Sequence, residues 1–170
     1  MKLSDGERLI VVMLAEVMQE MGLNHEIDPT LVKKLAIDHD DWAIAAKYHG
    51  IFDGEAPSDA EVTETHDILS MWSWIEHSIR ELEGADADEA AGFHHTQFSG
   101  FDGNNDAHFG IAHTMINDLG YYDEFAGRPL NSHSRATLAR YRAMLPKYKA
   151  AMDGHAGGEL SLDELRAICN

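Results

Sequence analysis

The chain has 170 residues, 44% of them apolar, with 4 prolines and a formal net charge of −17. That length and apolar content suffice for one domain with a sizeable core and argue against disorder. The charge opposes general binding to DNA or anionic lipid, whose phosphates would repel most of this surface. No apolar run approaches the roughly 18 residues of a membrane span, and the acidic opening Met1-Lys2-Leu3-Ser4-Asp5-Gly6-Glu7 does not read as a secretory signal. A lone cysteine, Cys169, makes an internal disulfide framework impossible. The expected setting is the cytoplasm, with no membrane partner.

In chain order, the sequence predicts helices throughout. Ser4-x-x-Glu7 has capping-box spacing, in which the hydroxyl accepts from the third helical amide and the carboxylate reaches back. Leu9, Ile10, Met13, Leu14, Val17, Met18 and Met21 then recur at helical spacing and read as core, with Gly22 as the stop. Asp28-Pro29 opens a second segment, bent or split at Asp38-His39-Asp40-Asp41 before Trp42, Ile44, Ala45 and Tyr48. Ser58-x-x-Glu61 starts a long helix through Leu69, Trp72, Ile75, Ile79 and Leu82, apolar enough to be central or to lie at a subunit contact. Residues 84–92 are small and acidic and read as an exposed linker. Further helices are predicted near 105–119, 134–152, where Pro146 should kink or split the helix, and from Ser161-x-x-Glu164 onward. Strand-like alternation is nearly absent, so the fold class is all-α, a single domain of about six to seven helices.

The segment Phe98-Ser99-Gly100-Phe101-Asp102-Gly103-Asn104-Asn105-Asp106 is the most motif-like stretch. Together with the opening Leu3-Ser4-x-x-Glu7-Arg8-Leu9-Ile10, and with Asn131-Ser132-His133 followed by Tyr141-x-x-Met144-Leu145, it resembles the YfbU family over essentially the whole chain. Family members often carry Glu where Asp106 stands. The resemblance implies a mostly helical, oligomeric protein of a bacterial cytoplasm. It implies no reaction and transfers no catalytic residue.

Read on their own chemistry, Asp102, Asn104 and Asp106 begin like a calcium loop, but the sixth position is Ala107 and the twelfth His113, so that site is not expected. The structural alternative is that Asp102 or Asn104 caps the following helix while Phe98 and Phe101 anchor the loop. Eleven histidines are many for this length, yet His108 and His113 fall on different helix faces and no ligand-spaced pair occurs; neither metal nor cofactor is expected. Adjacent pairs such as His66-Asp67 and Glu76-His77 diverge by about 100° on a helix and form no ready dyad.

Charge is distributed unevenly. Arg128, Arg135, Arg140, Arg142, Lys147 and Lys149 make residues 128–149 a +6 segment without a single acid. Pairing with acidic helices of the same or a neighbouring subunit is the favoured reading. A small anionic ligand comes next. A single-stranded nucleic-acid track stacking on Tyr141 and Tyr148 comes last, so nucleic acid is not an expected partner. The leading functional expectation is therefore a homo-oligomeric interaction or regulatory module. The alternative is a hydrolase or nucleotide-processing enzyme with a site between residues 98–106 and 131–133. The candidate binding residues are Phe101, Asp102, Asn104, Asn105, His108, Asn131, His133, Arg135 and Arg142.

Overall fold

The structure is a computed structural model and describes all residues except 1, 24, 25, 53–55, 134 and 154–157. The expected helix start at Ser134 and the histidine at position 25 lie outside the described residues. Among the described residues there are nine α-helices and no strand: α1 (Asp5–Glu20), α2 (Pro29–Ile37), α3 (Asp41–Lys47), α4 (His49–Phe52), α5 (Asp59–Glu81), α6 (Gly84–Ala90), α7 (Ala107–His113), α8 (Thr137–Asp153) and α9 (Leu162–Cys169). A π-helical turn, Thr114–Asp118, extends α7, and a short 3₁₀ turn covers Asp123–Phe125. The all-α class is observed. The chain divides into two compact units, Met1–Ala56 and Pro57–Asn170.

In the first unit, the Ser4–Glu7 capping box forms as its spacing dictates, with the Ser4 N–H donating to Glu7 Oε2 at 2.8 Å. At the other end of α1, the Leu23 N–H reaches the Met18 carbonyl and the Gly22 N–H that of Gln19, a Schellman closure around Gly22 at φ +64°. The acidic cluster after α2 resolves the same way. His39 takes the left-handed position at φ +61°, and the Asp40 N–H bonds the Leu35 carbonyl, so the segment is two helices rather than one bent one. Very little apolar surface is buried here: Ala15, Ala36 and Ile44 are the buried hydrophobics of α1–α3. An ion pair does much of the joining. Arg8 clamps Asp41 with both guanidinium nitrogens (2.8 and 2.9 Å), and the Leu3 N–H donates to the same carboxylate at 2.9 Å. These bonds hold the Asp41 carboxyl below its usual range.

The outer face of α1 contradicts the expectation of core. Leu9, Ile10, Met13, Leu14, Val17 and Met21 are 52–66% exposed. Periodicity had located an apolar face correctly, but the interior face that meets α2 is a different one, centred on Ala15.

In the second unit α5 is the central helix. The Ser58–Glu61 capping box starts it, and Ile68, Leu69, Met71, Trp72 and Ile75 are fully buried. Each such side chain contributes about 1.5–3 kcal/mol of hydrophobic stabilisation. Around it pack Ile111, Ala112, Met115 and Ile116 of α7 and its π turn, Tyr141, Met144 and Tyr148 of α8, and Leu165, Ile168 and Cys169 of α9. Of the two places open to a helix this apolar, α5 takes the centre. The segment expected as a linker forms α6 instead, with Ala90 buried and Glu89 meeting Arg166 of α9. α8 runs through Pro146 without splitting; Arg142, whose carbonyl the proline leaves free, is exposed, where water can satisfy it.

Candidate functional site

Residues 98–106 are positioned by an aromatic nest. Phe98 stacks within 5.2–6.4 Å of Trp72, Phe101, Phe125 and Tyr141, and Phe101 lies 5.6 Å from Tyr141. Between these anchors the chain turns at Gly100, with φ +75°. A Cβ there would sit 2.2 Å from the Leu130 carbonyl oxygen, so only glycine lets the two segments touch. They then pair: the Phe101 N–H bonds the Leu130 carbonyl at 2.9 Å and the Ser132 N–H bonds the Phe101 carbonyl at 2.8 Å. The Gly100 carbonyl accepts from Thr137 Oγ1 (2.8 Å) and the Tyr141 hydroxyl (3.0 Å), fixing the loop to α8.

The polar residues close this loop on itself. Buried Asp102 accepts from the Asn104 N–H (3.0 Å) and from Asn105 Nδ2 (2.6 Å), while its own N–H donates to Asp106 Oδ2 at 3.1 Å. Asp102 thus caps its own turn and not α7, whose N-cap is Asp106 without a side-chain cap bond. Asn131 Oδ1 accepts from the Gly103 N–H (3.3 Å) and the His133 N–H (2.8 Å), joining both segments. Phe101, Asp102, Asn104, Asn105, Asn131 and His133 therefore come together, with His133 exposed at φ +52°.

His108 and Arg142 belong to a second cluster that the sequence did not signal. The His108 ring lies 5.6 Å from Phe101, but its Nε2 is 2.8 Å from Glu64 Oε2. Arg142 grips the same carboxylate with Nε (2.8 Å) and Nη2 (2.7 Å). One carboxylate thereby ties α5, α7 and α8 together. Arg142, and then His108, pull the Glu64 carboxyl down to about 2 against the opposing effect of burial. Held by both partners, the Glu64 carboxylate stays ionised at neutral pH and clamps the three helices together.

The basic segment resolves in the same direction. Arg142 with Glu64, Lys149 with Asp67 (2.5 Å) and Arg128 with Glu76 (2.7 Å) all pair with α5. Glu76 also accepts from the Phe98 N–H at 2.8 Å. Arg135, Arg140 and Lys147 have no carboxylate partner among the described residues; Arg135 borders the loop cluster, its carbonyl accepting from Ser132 Oγ at 2.8 Å, and its side chain is exposed. The Arg140 guanidinium lies 5.2 Å from the Tyr141 ring centre, and its Nε is buried with no hydrogen-bond partner among the described residues. Nearby His95 is held below the usual histidine range by burial and then by the charges of Arg140 and His94. Tyr141 and Tyr148, the expected stacking platforms, are buried and present no face to a base.

Two grooves of the second unit lie outside these clusters. One of about 460 Å³ is almost wholly apolar, lined by Pro57, Val62, Ala107, Gly110, Ile111, Thr114, Met115 and Leu119. The other, of about 500 Å³, is polar and flanks the Glu76–Arg128 pair together with Arg80, Thr96, Gln97 and Glu124. Cys169 is buried, which pushes its thiol up to about 11 and leaves it a poor nucleophile. Among the described residues no group of three or more His, Cys, Asp or Glu side chains is arranged to hold a metal, and no helix is long and apolar enough to cross a membrane.

Fold and loop together define an all-helical protein whose most motif-like segment is built into the packing of its core helices. The YfbU domain model matches residues 1–170, so the chain belongs to the YfbU family over both of its units. No curated protein and no solved structure matches the chain.

Proposed function

We propose that this YfbU protein works by contact rather than by covalent chemistry, as a homo-oligomeric interaction or regulatory module of a bacterial cytoplasm. The observation that carries the reading is the exposed apolar face of α1, six side chains each more than half open to water. Water-exposed apolar stripes of this length mark contact surfaces. Four of the polar candidate side chains are engaged internally: Asp102 and Asn131 within their loops, His108 and Arg142 on Glu64. Sedimentation velocity at micromolar concentration is the test. A species of two or more copies is expected; a strictly monomeric protein overturns the reading.

A further inference from the structure

Helix α1 is apolar on two sides. Val11, Val12, Ala15 and Met18 face its own unit, while Ile10, Met13, Leu14, Val17 and Met21 form a second stripe, widened by Leu9, that stays open. Between its polar sector (Asp5, Arg8, Glu16, Gln19) and the face packed on its own unit, α1 thus carries more apolar surface than that unit covers. The unit that carries it, Met1–Ala56, is small and buries only Ala15, Ala36 and Ile44 among the hydrophobics of its helices. Units of this size rarely stand on their own core and commonly complete it by association.

We propose that the outer stripe of α1 is a two-fold contact between two copies of this chain, with α1 packed against α1 of the second copy. The proposal rests on the self-association reading above and assigns its surface. Two features select a second copy as the occupant. The stripe carries no charged or hydrogen-bonding side chain along its length, so it offers nothing to specify a foreign partner, and an apolar stripe is complementary to itself across a two-fold axis. At ordinary side-chain areas the six exposed residues present on the order of 600 Å², the top of what monomers leave contiguous and about three quarters of one side of a standard interface.

The acids beside the stripe give the contact a signature. Asp5 and Glu20 flank it with no cationic partner among the described residues, and each copy carries −17. Bringing two copies together concentrates negative charge, so added salt should tighten the pair, the reverse of a contact held by ion pairs.

The test uses the full chain with three single variants. Val17→Glu puts a charge mid-stripe at an exposed position and should leave the helical circular dichroism unchanged while shifting sedimentation from dimer to monomer. Leu14→Cys, near the middle of the stripe, should be joined to its own copy by a short bismaleimide, since the natural Cys169 is buried. Leu119→Glu, an exposed apolar position of the other unit, should leave the dimer intact. A dimer that survives Val17→Glu, or that only Leu119→Glu disrupts, overturns the assigned surface and leaves self-association standing. A monomeric wild type overturns both. If Val17→Glu proves unfolded, the Leu14→Cys cross-link decides, and its absence counts against the contact.

Discussion

Glu64 sits where three helices meet, and its two oxygens are shared between His108 and Arg142. Its carboxyl is lowered from about 4.5 to about 2, so its stabilising contribution is complete above pH 4.5 and is lost as pH falls from there through 2. Glu64→Gln should therefore cost about 2 kcal/mol at neutral pH, less than the full linkage value because Arg142 is half exposed. The gap between variant and wild type should close as pH approaches 2, which denaturant titrations at several pH values would measure. A gap that stays constant with pH contradicts the clamp. None of this was legible beforehand. Arg142 and His108 were both singled out, but Glu64 lies 78 residues from the first and 44 from the second, and no local pattern connects them. The three Ser-x-x-Glu boxes were legible because every atom involved lies within four residues, and all three form.

At the scale of elements, two glycines separate packing necessity from tolerance. Gly100 is enforced from outside its own segment, by a carbonyl its Cβ would strike and by a left-handed backbone. Gly110, in the middle of α7, would place a Cβ in open space above the apolar groove. Gly100→Ala should destabilise by about 3 kcal/mol or more, whereas Gly110→Ala should stabilise α7 by about 1 kcal/mol through helix propensity alone. Thermal unfolding of the two variants checks both signs. Helix existence and order were readable from period and caps. The expected linker failed because small acidic residues are also tolerated in a short helix once a neighbour such as Arg166 pairs with Glu89. The loop's structural role was half legible: Phe98 and Phe101 as anchors were foreseen, but Asp102 closes its own turn rather than capping α7.

On the scale of the whole molecule, the average charge of −17 conceals an internal division of labour. Half of the basic residues of α8 and its approach, Arg128, Arg142 and Lys149, pair with α5, while α1 keeps an exposed apolar face. Periodicity showed which face of α1 is apolar; it could not show that this face would stand exposed rather than packed on α2. The longest helix, by contrast, looked equally suited to a core or a contact and proved to be the core. Family membership covers both units without supplying a reaction. The most direct test of contact through α1 is sedimentation equilibrium of the wild type across a salt series, over which the screening length falls from about 30 Å at 0.01 M to about 3 Å at 1 M. The account predicts a dimer whose association constant rises with salt. A monomer at every salt concentration, or a dimer that dissociates as salt is added, would contradict it.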